Sequence, residues 1–284
     1  MPLVTSKKMF QMAYKNGYAV GAFNVNNVEQ IRGVIETAVE EKSPVIVAVT
    51  EGAIKHGGWE LFCAALPRMA AAAPVPVSVH LDHGAKFDNI IKAVVGGFTS
   101  VMYDCSTLPF DENAAEMKKL AAFAHPAGVS VEGEIGHVGG KEGGAAGGGD
   151  ECLTEPDEAR RFAEVTGVDA LAVAVGTVHG MRKQTAKLDF DRIAAIAAVV
   201  KVPLVLHGAS GVPDEAFAEV IARGIAKINI GTELQKCFAA GLRKFAAENP
   251  DAIDVRKLLK PATDEMKEAV RTKIRLFKSN GKAW

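Results

Sequence analysis

Net charge is almost absent: 33 basic side chains face 34 acidic ones, a formal charge of −1. Such a balance gives no overall field for holding nucleic acid or an anionic membrane, so attraction for an anionic ligand must be built locally. Cysteine is scarce too. Cys63, Cys105, Cys152 and Cys237 lie far apart with no C-x-x-C pair, which argues against a disulfide scaffold or a thiolate zinc site. No apolar run reaches the ~18 residues that a membrane span needs. Lys7, Lys8 and Lys15 interrupt the stretch from Met1 to Val20, which therefore has no continuous signal-peptide core. These absences lead us to expect a soluble cytoplasmic protein. No shift of composition marks a domain boundary, so residues 1–284 read as one domain.

What the chain does have is an alternation of periods. Short runs rich in Val, Ile and Ala recur at Ala19–Val25, Pro44–Val49, Val75–Asp82, Ser100–Asp104, Ser130–Gly136, Ala170–Val175, Pro203–Gly208 and Lys227–Gly231. They are nearly continuous in apolar character, as strands are when both faces of a parallel sheet are buried. Between them lie amphipathic stretches. Glu29–Glu41 puts Ile31, Val34, Ile35, Ala38 and Val39 on one side and Glu36, Glu40 and Glu41 on the other. Glu112–His125 and Pro156–Thr166 behave alike, each after an Asp or Thr suited to capping. Eight β-then-α units predict an α/β fold, a (β/α)8 TIM barrel, with a further helix over Ala262–Phe277. An open doubly wound sheet is the runner-up, but no G-x-G-x-x-G follows the first run. Glycines at 136, 139, 140, 143, 144, 147, 148 and 149 make Gly136–Asp150 a loop after the fifth strand.

In such a barrel, chemistry sits at the C-terminal ends of the strands. The third strand ends in His80–Leu81–Asp82–His83–Gly84 and the fourth in Tyr103–Asp104. The fifth carries Glu132 and Glu134, and the sixth runs out through Thr177–Val178–His179–Gly180. The last two end in His207–Gly208–Ala209–Ser210–Gly211 and Asn229–Ile230–Gly231–Thr232. Of seven histidines, His83, His179 and His207 share this rim. Three imidazoles converging from separate strands suit Zn2+ with an open fourth position. Asp82, beside His83, is the candidate for proton transfer, and His80 should face the same way as Asp82. The glycine-containing turns after the last two strands suit a phosphate.

His80–Leu–Asp–His–Gly84, Val131–Glu–Gly–Glu–Ile–Gly136, Gly176–Thr–Val–His–Gly180, Leu206–His–Gly–Ala–Ser–Gly211 and Asn229–Ile–Gly–Thr232 together resemble the signature segments of the class II fructose-bisphosphate aldolases. The likeness is nearest to the branch that includes tagatose-bisphosphate aldolases and runs from Ala19–Val–Gly–Ala–Phe–Asn24 to Lys278–Ser–Asn–Gly281. The resemblance implies Zn2+ on His83, His179 and His207, with Asp104 and Glu134 at positions for a second or displaced metal. It implies that Asp82 moves the C4 hydroxyl proton and that Glu142, in the glycine-rich loop, serves the bound triose phosphate. It implies a dihydroxyacetone-phosphate site at Gly180, Gly208, Ala209, Ser210, Asn229, Ile230, Gly231 and Thr232, with a monovalent cation (Na+ or K+) near Gly180 and Ser210. The chain departs from the family at Tyr103–Asp–Cys–Ser106, where Ile-Asp-Gly-Ser is common, and at Gly231, where fructose-type members often carry Asp or Asn and tagatose-type members a small residue. Its glycine-rich loop also holds more Gly and less Asp than is usual.

The expected reaction is reversible cleavage of a ketose 1,6-bisphosphate, fructose 1,6-bisphosphate before tagatose 1,6-bisphosphate or a deoxy-keto-sugar-acid phosphate. Symmetric homo-oligomers, dimers or tetramers, are the common default. Two rivals stand beside it. A Schiff-base aldolase needs a lysine on the rim, whereas Lys201 and Lys227 precede or begin strands and are expected at the opposite face. A barrel that only binds a sugar phosphate has no use for Asp82 and Glu142 beside three histidines.

Overall fold

The computed structural model describes residues 3–140 and 152–284. Its strands are β1 Val20–Asn24, β2 Val45–Thr50, β3 Val77–Gly84, β4 Ser100–Tyr103, β5 Ser130–Ile135, β6 Ala170–Val173, β7 Leu204–Leu206 and β8 Ile225–Ile230. Each pairs in parallel with its sequence neighbours, and β8 closes on β1 from Val20↔Lys227 to Phe23↔Ile230. The expected (β/α)8 barrel is therefore the observed one. Helix α1 Ser6–Asn16 precedes it. The helices between strands are α2 Val28–Glu40, α3 Glu51–Gly57, α4 Leu66–Ala72, α5 Phe87–Val95, α6 Phe110–Ala124, α7 Pro156–Thr166, α8 Phe190–Val199 and α9 Phe217–Ala222. After β8 come α10 Thr232–Glu248 and the additional C-terminal helix α11 Val255–Leu276. Among the described residues, no helix is long and apolar enough to cross a membrane.

The strands are buried on both faces because the helical shell covers the outside and side chains fill the inside. Val45, Val47, Val49, Val77, Val79 and Leu81 join the outer layer with Ile31, Val34 and Ile90. A second apolar cluster sits inside the barrel at its N-terminal end, where Val20, Ala22, Ile46, Ala170, Ala172 and Val205 meet Met9, Phe10 and Ala13 of α1. Helix α1 therefore plugs the floor. The buried histidines and carboxylates at the strand ends lie above it.

Two local expectations need correction. Neither α6 nor α7 has a side-chain cap: Asp111 lies inside the first turn of α6, and Pro109 and Glu155 occupy the capping positions. Thr154 instead donates through Oγ1 to the Ile135 carbonyl at 2.6 Å and accepts from Ala174 N–H at 2.8 Å, tying β5 to the end of β6. The second correction concerns β8, which begins at Ile225 and not at Lys227. Ile225 and Ala226 continue the four-residue spacing of Ile221 and Ala222 in α9, so the sequence pattern hides the switch of period. Lys227 is consequently the third residue of the strand, fully buried within the barrel, and not at the opposite face.

Candidate metal centre and active site

Strand alternation brings Ser78, His80 and Asp82 to the inner side of β3, where His80 reaches Ser100 of β4 (Nδ1 to Oγ, 2.8 Å). His83 should then point outward. It does not, because the β3–β4 register shifts between Leu81 and Gly84 and His83 adopts φ +49°. A side-chain-bearing residue in the left-handed region is uncommon, and a bulge there re-aims the side chain. Two adjacent residues, Asp82 and His83, thus both enter the barrel mouth.

The bulge sets His83 against His179 and His207, with ring centroids 4.9 and 4.7 Å away. Ligand nitrogens of the three imidazoles all lie within 4.8 Å of one another. Each ring is held from behind. Asp104 Oδ2 lies 2.7 Å from His83 Nδ1, while its Oδ1 accepts from Ser106 Oγ (2.7 Å) and Ser106 N–H (3.2 Å). Ser106 Oγ in turn lies 3.0 Å from His137 Nδ1. Glu132 Oε1 lies 2.9 Å from His207 Nε2. His179 is positioned through its backbone, whose N–H donates to Gly139 at 2.8 Å. Gly208, at φ +63°, packs so closely on that segment that a Cβ there would stand 2.9 Å from Val178 C.

These constraints leave His83 Nε2 and His207 Nδ1 buried with no hydrogen-bond partner among the described residues. Two nitrogen donors aimed at one point beside a third imidazole, each with a carboxylate or backbone support behind it, fit a zinc site in both donor type and surroundings. Glu134 stands at the edge of this group: its Oε1 accepts from Val138 N–H at 3.2 Å, and its Oε2 lies 3.0 Å from His207 Nδ1 without hydrogen-bond alignment.

Electrostatics favour a cation here. Burial works against charge on His83, yet Asp82, Asp104 and Glu134 together hold its imidazolium up to about 10. Burial is likewise overcome at His207, where Glu132 and Glu134 raise the value to about 9. The carboxyls respond in kind. Against the penalty of burial, the positive charges of His83, Lys227 and His207 hold Asp82 well below the usual carboxylate range, and His83 and Ser106 do the same for Asp104. The pocket therefore collects positive charge, as protons or as a metal ion.

Asp82 accepts from Asn24 Nδ2 at 2.7 Å and from Asn229 Nδ2 at 3.1 Å, so both carboxylate oxygens are fixed by amides from β1 and β8. Beside it a narrow pocket is lined by Asn24, His179, Gly180, Gly208, Ser210, Asn229, Gly231 and Thr232. Of the expected substrate residues, Ala209 and Ile230 are buried in the outer apolar layer and do not line it. The N-terminus of α10 begins at this pocket, and Ser210 Oγ accepts from Glu233 N–H at 3.2 Å.

A model of the class II fructose-bisphosphate aldolase family matches residues 4–282. The chain belongs to this family. Among solved structures, the YdjI aldolase of Escherichia coli K12 is 38% identical with a TM-score of 0.88, covering 99% of this chain and 100% of that one. A candidate fructose-1,6-bisphosphate aldolase from Coccidioides immitis is 30% identical, TM-score 0.89, covering 97% and 96%. The fructose-bisphosphate aldolase of Campylobacter jejuni, 22% identical with a TM-score of 0.84 over 98% and 96%, shares the fold.

Within this class II aldolase, Glu142 lies outside the described residues. Sequence reasoning passed over Asn24, Ser106 and His137, left Glu132 without a role and misplaced Lys227. The signal for the last two was present: Glu132 and Glu134 are two apart in β5, as are Lys227 and Asn229 in β8, so each pair shares a face.

Proposed function

We propose that this aldolase reversibly cleaves a ketose 1,6-bisphosphate, with fructose 1,6-bisphosphate as the leading substrate, to dihydroxyacetone phosphate and glyceraldehyde 3-phosphate. The observation that carries this reading is the three-imidazole cluster lying between a doubly anchored carboxylate, Asp82, and the pocket at the start of α10. His83, His179 and His207 would hold Zn2+, with Asp104 orienting His83 and Glu134 placed to join as an oxygen ligand. The ion supplies Lewis-acid polarisation of the ketose carbonyl and a counter-charge to the electrons left when the C3–C4 bond breaks.

The chain's own residues do the rest. Asp82 takes the C4 hydroxyl proton in cleavage and returns it in condensation, while Asn24 and Asn229 keep its oxygens directed. Glu142 is proposed to exchange the proton at C3 of the triose. The C1 phosphate is proposed to lie against the glycine-lined turns at Gly180, Gly208–Ser210 and Asn229–Thr232, where the α10 N-terminus adds partial positive charge. Gly180 and Ser210 are also where a Na+ or K+ ion would sit. Two copies or four are the expected assembly.

A second substrate, tagatose 1,6-bisphosphate, is favoured by Gly231, which leaves the approach to Asn24 clear: a Cβ there would stand 3.2 Å from Asn24 Oδ1. The deciding experiment is metal analysis followed by cleavage assays on fructose 1,6-bisphosphate, tagatose 1,6-bisphosphate and a keto-sugar-acid phosphate. Activity should vanish with chelator and return with zinc. Full-rate cleavage by metal-stripped protein, or inactivation by borohydride in the presence of substrate, would refute the scheme.

A further inference from the structure

Beneath the metal centre lies a second buried cluster, His80, Asp82 and Glu132, whose ligand atoms also fall within 4.8 Å of one another. Lys227 is already seated in it. Its Nζ lies 2.7 Å from both oxygens of Glu132 and 3.3 Å from His80 Nε2, and no part of Lys227 is exposed. Resting on the reading of His207 as a metal ligand and Asp82 as the proton carrier, we propose that Lys227 is a positioning residue that sets the direction of hydrogen bonding, and so the tautomer, of His80 and His207 together.

An ammonium group has only donors. Facing His80 Nε2, it requires a lone pair there, so the ring proton of His80 resides on Nδ1 and is donated to Ser100 Oγ. His80 Nε2 lies 3.7 Å from Asp82 Oδ1 and, carrying no hydrogen, offers it none. Asp82 then takes donors only from Asn24 and Asn229, and its remaining lone pairs stay open for the substrate hydroxyl. On the other side, the bidentate ammonium keeps Glu132 an acceptor-only carboxylate. When His207 gives up one proton to bind a metal, the proton it keeps would therefore be the one on Nε2, shared with Glu132, and the Nδ1 lone pair would face the metal position. One side chain on β8 thus governs a ring on β3 and a ring beyond β7.

The test is nitrogen-15 NMR of histidine-labelled full-length protein, with and without zinc. His80 should appear as the Nδ1–H tautomer in both samples, and zinc-loaded His207 should carry its proton on Nε2. Lys227→Met, close in length and uncharged, should move His80 toward Nε2–H. It should also weaken zinc binding by up to about 10-fold, the low end of the cost of losing a ligand's outer partner, because Lys227 reaches His207 only through Glu132, and lower kcat more than it raises KM. A wild-type His80 in the Nε2–H form overturns the proposal even where no variant folds. So does a Lys227→Met protein with unchanged tautomers and unchanged zinc affinity. Failure of the wild-type protein to bind zinc counts against the proposed function instead, since the His80 tautomer is read without the metal.

Discussion

The two ends of the barrel use the same residue types to opposite effect. At the floor, Asp169 accepts from Val131 N–H (2.9 Å), lies 3.0 Å from His125 Nε2 and pairs with Lys7 Nζ at 2.9 Å. Both oxygens of that carboxylate have partners, and the two side chains among them are open to water, with Lys7 57% and His125 39% exposed. At the mouth, Asp82, Asp104, Glu132 and Glu134 surround histidines that are almost wholly buried, and two of those rings still have a nitrogen without a hydrogen-bond partner among the described residues. Space does not separate the two ends in the expected way, for a cleft of about 600 Å3 lined by Lys7, Tyr14, Asp169 and Lys201 opens at the floor. What separates them is saturation. A charged cluster whose partners are all supplied by the chain stabilises the fold, whereas one that leaves buried donors or acceptors facing a common point is built for something else.

That contrast can be broken by mutation, beginning where the effect is greatest. Asp82→Ala should lower kcat by about 10^2- to 10^4-fold while zinc content stays at the wild-type level, since general acid–base groups contribute on that scale. Metal analysis with steady-state kinetics checks it, and wild-type turnover would remove Asp82 from the scheme. The effect of pH comes next. In the metal-free protein His83 and His207 are held protonated up to about 10 and about 9, and a metal needs both as neutral ligands. Zinc binding should therefore release one proton from each and strengthen by about 100-fold per pH unit between pH 6 and 8. Calorimetry in buffers of different ionisation enthalpy measures this directly, and proton-free binding would contradict the charge state derived for the mouth. The same shifts make the metal-free protein lose stability as pH rises through about 9 to 10, because the raised values stabilise only the protonated rings.

Asp104→Asn should weaken zinc by about 10- to 100-fold through loosened support of His83, read by competition with a chromophoric chelator. The matching change at the floor, Asp169→Asn, should leave zinc affinity and kcat unchanged. Its cost of about 1–3 kcal/mol should appear only in denaturant unfolding, since it disturbs buried hydrogen bonds without touching the mouth. The smallest effect belongs to Lys7→Ala, under about 1 kcal/mol, because an ion pair with so exposed a partner contributes little. A floor mutation that altered zinc affinity would show that the two ends are coupled.

Much of this organisation was legible beforehand. The strands run within a few residues of the apolar runs that predicted them, because both-face burial leaves a continuous apolar signature in the chain. The crowding of His, Asp and Glu at strand ends was equally visible. Three features were not. Helix α1 carries no mark that it plugs the floor rather than joins the outer shell. The start of β8 was masked by the helical spacing that Ile225 and Ala226 share with α9, and this displaced Lys227. His137, in the glycine-rich stretch after β5, stands behind Ser106 and Asp104 in the support of His83, and nothing in its local pattern announces this.

By itself the sequence determined the alternation of strand and helix, the end of the barrel that carries ionisable groups and the family the chain resembles. Those properties are written in local period and in the order of residues. The tertiary structure alone decided that His83 turns inward at φ +49° beside Asp82, and that Lys227 meets Glu132, 95 positions away, across the barrel interior. The first depends on the bulge in the β3–β4 pairing and the second on closure. Only when β8 pairs with β1 does its lysine face β5 across the interior, and no local pattern in the chain encodes that distance.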